Sequence, residues 1–272
     1  MNKQGKGKIE YLGYTWAPVT GCNHPCKDEY CYAAKIAKRF GGHYSDLAED
    51  NISTSEWKDG EKIHVLDEPM YRYDEDGKMR KAAYPYGFEP TFHRYRLGEP
   101  AKVKKPSIIG VVYMGDLFGE WVPDEWIQEV FKACWKAPQH RYLFLTKNPN
   151  RYADVWFKSP EYSLLGTTIT CQSDIEKLSE KTKAYVDFYS IEPLLGEINI
   201  KNILYWKDYD ERIYRSSLDW VIIGQQTNPN KPPKPEWVCS IIDQCRAAKV
   251  PVFVKSPLYE KYPIQEFPEG LI

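Results

Sequence analysis

Short apolar runs recur along the chain, separated by stretches with helical spacing. "IIGVVYM", "YLFLT" and "WVIIG" are apolar without alternation, as strands covered on both faces require. Strands are predicted at residues 14–20, 107–114, 142–146, 164–171, 184–191, 220–224 and 252–255. The helices between them have readable starts. Pro123 precedes Ile127, Val130, Phe131 and Cys134 at helical spacing, and Pro235 precedes Val238, Ile241, Ile242 and Cys245. Ser173 and Glu176 read as a capping box ahead of a charged helix. Strand–helix alternation predicts an α/β fold, and seven strands with intervening helices suggest a barrel, complete or partial. A doubly wound open sheet is the competing arrangement.

One region breaks the rhythm. Residues 41–106 read as an inserted hairpin and loop region within a single domain spanning 1–272. Asp76-Gly77, between "MYRY" and "KMRK", predicts a β-hairpin turn. Residues 71–105 hold nine Lys or Arg against five Asp or Glu, interleaved with Tyr71, Tyr73, Tyr84, Tyr86, Phe88, Phe92 and Tyr95. That mixture suits a platform for single-stranded nucleic acid or a flipped base. The plainer reading is a solvated hairpin whose aromatics pack inward. A second polar excursion covers residues 201–217.

Composition narrows the class. With 42% hydrophobic and 28% charged residues and a net charge of −1, the chain is an ordinary globular protein, and any nucleic-acid contact must be local. No apolar run approaches the roughly 20 residues of a membrane span. The polar N-terminal segment lacks the apolar core of a signal peptide, so the expected location is cytoplasmic, without a membrane partner. In a reducing compartment seven cysteines point to metal binding or packing, not disulfides.

Three of them carry the candidate chemistry. Cys22, Cys26 and Cys31 make a C-x3-C-x4-C run between the first strand and a helix ending at Gly41-Gly42. Gly21 and Pro25 suit a tight loop that lets the sulfurs converge, and Cys31 lies near a helix start, where a thiolate is favoured. Three thiolates can hold a [4Fe–4S] cluster with one iron left open. The alternative is zinc with His24 as fourth ligand, which is cramped because His24 lies two residues from both Cys22 and Cys26. Cys134, Cys171, Cys239 and Cys245 have no ligand spacing and read as packing residues.

Polar residues follow the apolar runs where an α/β site is built, at strand C-termini: Asp116, Lys147, Gln172 with Ser173, Glu192, Gln225 with Gln226, and Lys255. Each also has a plain structural reading, such as a turn cap for Asp116, an ion pair for Lys147 or a turn carboxylate for Glu192. No phosphate loop, H-E-x-x-H, G-x-G-x-x-G or G-x-S-x-G motif occurs.

Taken together, "WAPVTGC…CYA", "PYGFEPTFH", "YMGDLF", "APQHRYLFLTKNPNR", "SIEPLLG", "DWVIIG" and "VPVFVK" resemble the phage- and bacterium-associated three-Cys-motif family. That family is classed with the radical S-adenosylmethionine proteins and is distantly similar to spore photoproduct lyase. The resemblance implies a partial TIM-like (β/α) barrel of about six or seven parallel strands whose cluster loop follows the first strand, with Cys22, Cys26 and Cys31 holding a [4Fe–4S] cluster. Its open iron would bind S-adenosylmethionine, and an external electron donor would drive cleavage to a 5′-deoxyadenosyl radical. The usual spacing is C-x3-C-x2-C with an aromatic before the last cysteine. This chain keeps Tyr30 there and has two extra residues in the second gap. Met114-Gly115-Asp116 stands where such proteins carry Gly-Gly-Glu.

On that resemblance Tyr30, Asp116, Thr170, Gln172 and Glu192 are the cofactor-binding residues and Lys147 and Lys255 the catalytic candidates. The implied substrate is a nucleobase or nucleic acid. Two rivals belong to other classes: a zinc-stabilised module that binds nucleic acid or protein without catalysis, and a barrel hydrolase using carboxylates.

Overall fold

The continuous apolar runs form parallel strands. The computed structural model describes residues 1–5, 7–41, 53–58, 61–73, 76–155, 159–207, 213–215, 218–227 and 229–271 of a mixed α/β chain with a large, mostly parallel sheet. The chain divides into two compact units, Met1–Gln4 with Leu12–Tyr142, and Gly5–Tyr11 with Leu143–Ile272.

In the first unit β1 (Asn2–Lys3) pairs antiparallel with β2 (Tyr14–Trp16), which runs parallel to β9 (Ile108–Val111). The strand expected over 14–20 is broken. Pro18 has no N–H to give a ladder, and beyond it β3 (Val19–Thr20) leaves the partner of β2 and pairs with β8 (Thr91–His93). With β4 (Ser53–Lys58) and β5 (Glu61–Leu66) these make a separate sheet in the order β3-β8-β5-β4. The inserted region is thus more than a hairpin and loops, although residues 42–52 lie outside the described residues. The expected hairpin is present as β6 (Tyr71–Tyr73) against β7 (Met79–Lys81).

α1 (Tyr32–Phe40) ends at Gly41. α2 (Asp124–Trp135), with Pro123 at its N-cap, buries Ile127, Val130, Phe131 and Cys134, the face its spacing predicts. The strand expected over 107–114 stops at Val111 because Val112 turns into the left-handed region, at φ 60°.

β10 (Arg141–Thr146) carries the chain into the second unit. There β11 (Ser163–Thr168), β12 (Phe188–Ile191), β15 (Trp220–Ile223) and β18 (Val252–Val254) pair in that order, all parallel. The helical pieces are α3 (Tyr152–Val155), α4 (Gln172–Glu176), α5 (Glu180–Lys183), α6 (Lys201–Leu204) and α7 (Pro235–Ala248). The second polar excursion contains the hairpin β13 (Tyr205–Lys207) with β14 (Ile213–Arg215); residues 208–212 and 216–217 lie outside the described residues. A short ribbon joins β16 (Gln226–Thr227) to β17 (Asn230–Lys231).

Two boundaries differ from expectation. Residues 184–186 close turns onto α5 and are not strand. α4 begins two residues before the expected capping box would start it, with Cys171 at its N-cap, because Asp174 and not Glu176 reaches back to the free N–H groups. The unit's core stacks Trp220, Phe253 and Tyr11 edge to face, each at most 3% exposed. Among the described residues no helix is long and apolar enough to cross a membrane.

Candidate functional site

Within the first unit the cysteine loop is held mainly by main chain. It leaves β3 through Gly21, whose φ of 84° and contact with residue 89 exclude any side chain: a Cβ there would stand 2.2 Å from the Glu89 carbonyl oxygen. Gly21 N–H donates to Met114 O (3.0 Å) and Cys22 N–H to Phe88 O (3.1 Å). Gly21 bridges to Gly115, where a Cβ would meet Gly21 O at 2.6 Å. The loop is therefore clamped between the segments around 88 and 115.

A short 3-10 turn, Pro25–Asp28, then carries Cys26. Its carbonyl accepts the N–H groups of Glu29 (3.2 Å), Tyr30 (3.3 Å) and Cys31 (3.2 Å), folding the loop back on itself. Cys31 is the N-cap of α1, as expected. Cys22 is buried, Cys26 and Cys31 are half-buried, and none is in a disulfide. Among the described residues no three His, Cys, Asp or Glu side chains are grouped as a metal ion would need.

His24 and Asp116 meet. Their Nε2 and Oδ2 share a hydrogen bond of 2.8 Å, and Asp116 Oδ1 accepts Phe118 N–H (2.9 Å). Asp116 is 3% exposed, so it is a loop carboxylate with internal partners. The His24 ring stands edge-on to Trp121 (5.0 Å). The buried Trp121 indole N–H has no hydrogen-bond acceptor among the described residues. A buried donor left unmade costs about 1–3 kcal/mol, so an acceptor from a bound group fits this place. Tyr30 is half-buried beside Cys31.

The inserted sheet contributes residues that sequence reasoning missed. His64 is fully buried, stacks on Tyr86 (3.6 Å) and meets Glu89 through Nε2 (2.5 Å). Its main-chain N–H donates to Pro90 O (2.9 Å), so it anchors the strap that holds Cys22 and Gly21. Burial pushes His64 below its ordinary pKa, against the pull of Glu89. His93, equally buried, bonds Thr20 Oγ1 (2.8 Å), and burial with the Arg96 and Lys81 charges holds it well below the ordinary value. For His93 the sequence offers the segment "PYGFEPTFH" that contains it; for His64, in "EKIHVL", it offers no comparable signal. The interleaved aromatics divide: Tyr86 and Phe92 are buried, while Tyr71 and Tyr73 are exposed on the hairpin.

Within the second unit the expected residues do follow the strand ends; two of them pair with each other and others bond to neighbouring residues. Glu192, just after β12, pairs with Lys255, just after β18. Thr170 gives its N–H (2.8 Å) and hydroxyl (2.7 Å) to Asp174 Oδ2. Burial works to raise the Asp174 pKa, but those bonds, Cys171 N–H and the Lys147 charge outweigh it and hold the carboxyl below its usual range. Lys147 thus has the nearby acid of its plain reading. Gln172 Oε1 accepts Asn199 N–H (2.8 Å), and Gln225 Nε2 donates to Asn230 Oδ1 (2.5 Å). Of the other cysteines, Cys134 and Cys245 are buried packing residues; burial drives the first thiol's pKa well up and the second to about 12.

No curated protein matches the chain, and no solved structure matches it. Residues 6–259 match the sequence profile of a family described as a protein of unknown function (DUF5131), and the chain belongs to that family.

Proposed function

We propose that the protein is a radical S-adenosylmethionine-like enzyme, a partial (β/α) barrel whose cysteine loop carries a [4Fe–4S] cluster. The observation that carries this reading is the loop itself: three cysteines within ten residues, none in a disulfide, between a glycine turn that admits no side chain and a helix start. Cys22, Cys26 and Cys31 would hold three irons, leaving the fourth for the amino and carboxylate groups of S-adenosylmethionine. Held there by Cys22, Cys26 and Cys31, the cluster would supply one-electron reduction of the S-adenosylmethionine sulfonium, with the electron drawn from an external donor.

The chain's own residues set up that binding. The first turn of α1 favours a thiolate at Cys31. Trp121 offers its unmet N–H to an acceptor on the bound group. Asp116 fixes His24, and with it the middle of the loop. The substrate class we assign is a nucleobase or nucleic acid, for which exposed Tyr71 and Tyr73, with Arg80 and Lys81, offer stacking and phosphate contacts.

A second reading has one observation in its favour. Histidines that bind zinc commonly give their other ring nitrogen to a carboxylate, and His24 Nε2 meets Asp116 in that way. Zinc held by the three cysteines and His24 Nδ1 would make a structural centre.

Anaerobic purification separates the two. The cluster predicts brown protein containing iron and sulfide, and methionine with 5′-deoxyadenosine after dithionite and S-adenosylmethionine are added. The C22A/C26A/C31A variant should be colourless and inactive. Colourless wild-type protein with about one zinc per chain supports the second reading; metal retained in full by the triple variant removes both.

A further inference from the structure

Glu192, Gly224 and Lys255 occupy equivalent places in the second unit. Ile191, Ile223 and Val254 form the last paired row across β12, β15 and β18, and each of the three residues comes one position later. Neighbouring strands lie about 4.8 Å apart, so the outer two backbones are separated by roughly 10 Å. Glu192 spans that gap by lying over Gly224. A Cβ at position 224 would stand 2.7 Å from Glu192 Cδ and 2.9 Å from Oε1. The glycine leaves the lane through which the carboxylate reaches the Lys255 ammonium.

Both groups keep some contact with solvent, at 25% and 15% side-chain exposure, on the C-terminal rim where parallel sheets bind ligands. The Lys255 ammonium also lies 5.9 Å from the centre of the Tyr11 ring. Gln225, next to the gap and 6% exposed, is fixed by Asn230.

We propose that this rim is a binding site for a small zwitterion, a free α-amino acid, with the ligand ammonium on Glu192 and its carboxylate on Lys255. The reason is charge balance. A lone anion drawn to Lys255 must displace Glu192 and leave a half-buried carboxylate without a partner. A lone cation at Glu192 strands Lys255 in the same way. Leaving either charge unmatched is costly. A ligand with both charges exchanges one ion pair for two and leaves neither stranded. The site stands on the second unit alone and does not depend on what the cysteine loop holds.

The test is calorimetric titration of the full chain with each of the twenty common L-amino acids, then with the deaminated and decarboxylated analogues of any that bind. At least one amino acid should bind at one site, and both analogues about tenfold or more weaker. G224A, whose methyl group blocks the lane, and the neutral pair E192Q/K255M should each weaken binding about tenfold or more. Circular dichroism should show both variants folded, the double variant having no stranded charge. Three results would overturn the proposal: no amino acid binding at millimolar concentration, analogues binding as well as the parent, or affinity unchanged in both variants. A free nucleobase binding in place of every amino acid would also overturn it.

Discussion

The two units hold their candidate chemistry by different means. In the first, the cysteine loop is fixed mainly by main chain, with Gly21 against Glu89 and Gly115, Cys22 N–H on Phe88 O, and three N–H groups on Cys26 O, beside the one side-chain tie of His24 to Asp116 described above. In the second, the rim is fixed by charged and polar side chains: Glu192 on Lys255, Thr170 on Asp174, Gln225 on Asn230. Main-chain anchoring suits a loop proposed to bring three cysteines to one bound group. Side chains that trade internal partners for a ligand suit the second. The contrast extends to protons. His64 and His93 are buried neutral in the first unit, while the second holds the half-buried Asp187, whose pKa burial raises to about 6 against the Leu165 N–H, with Asp219 adding to the rise.

The sharpest way to break the contrast is Gly21→Ala. The new methyl group would meet the Glu89 carbonyl at 2.2 Å on a backbone with φ 84°. Left-handed strain and the main-chain clash should together cost about 3 kcal/mol, read as a lower denaturation midpoint. On the cluster reading proposed above, metal retention should fall with it. If the main chain does not hold the loop, Gly21→Ala will leave both unchanged.

Next in size is Thr20→Val, which removes the buried partner of His93 and should cost about 1–2 kcal/mol. The same cluster predicts the sign of the pH response. Both histidines have folded pKa values below the unfolded 6.5, so they resist protonation when folded. Their contribution is complete above pH 6.5 and is lost as pH falls below it. Unfolding free energy measured against pH should therefore drop on acidification, and less so once His93 is replaced by Phe.

Much of this architecture was readable in the sequence, and the reasons for the misses are physical. The seven expected strand positions all hold strand, the first broken at Pro18, while β4, β5 and β8 of the insertion carry no continuous apolar run; helical spacing marks the buried faces of α2 and α7, except for the half-buried Ile242. The break at Pro18 follows from its missing N–H, yet nothing local says that β3 will pair with β8, some seventy positions later. Contacts of that range were illegible in general: His24 meets Asp116 and Glu192 meets Lys255 only after folding. Each of those four residues except His24 was picked out singly from its place after a strand. Their pairing, and the lane at Gly224, exist only in the folded chain.

Asp187 offers a smaller effect of opposite sign to the histidines. Its folded pKa of about 6 lies above the ordinary 3.8, so the stability linked to its proton is present below pH 3.8 and lost as pH rises through about 6. Asp187→Asn keeps an acceptor for Leu165 N–H (2.7 Å) and removes the charge. Stability above pH 6 should rise by on the order of 1 kcal/mol, with a flatter profile between the two values. A profile as steep as that of the parent would place the titration elsewhere.

The smallest effect separates two kinds of backbone strain, one in each unit. Val112 (φ 60°) and Lys249 (φ 56°) are the described non-glycine residues in the left-handed region. Lys249 is the exposed C-cap of α7, where glycine is the usual occupant. Lys249→Gly should gain about 0.5 kcal/mol, the relief of strain exceeding the entropy of a freer unfolded chain. Val112 is 1% exposed, takes its N–H to Trp16 O (2.8 Å) and turns the chain toward Gly115 and Asp116. Glycine there relieves the same strain but gives up about 1.5–3 kcal/mol of burial, so no net gain is expected. Paired thermal melts decide the matter. Equal gains at both positions would mean that the strain at Val112 is as incidental as that of a helix end, and that the turn into Asp116 is not fixed by packing.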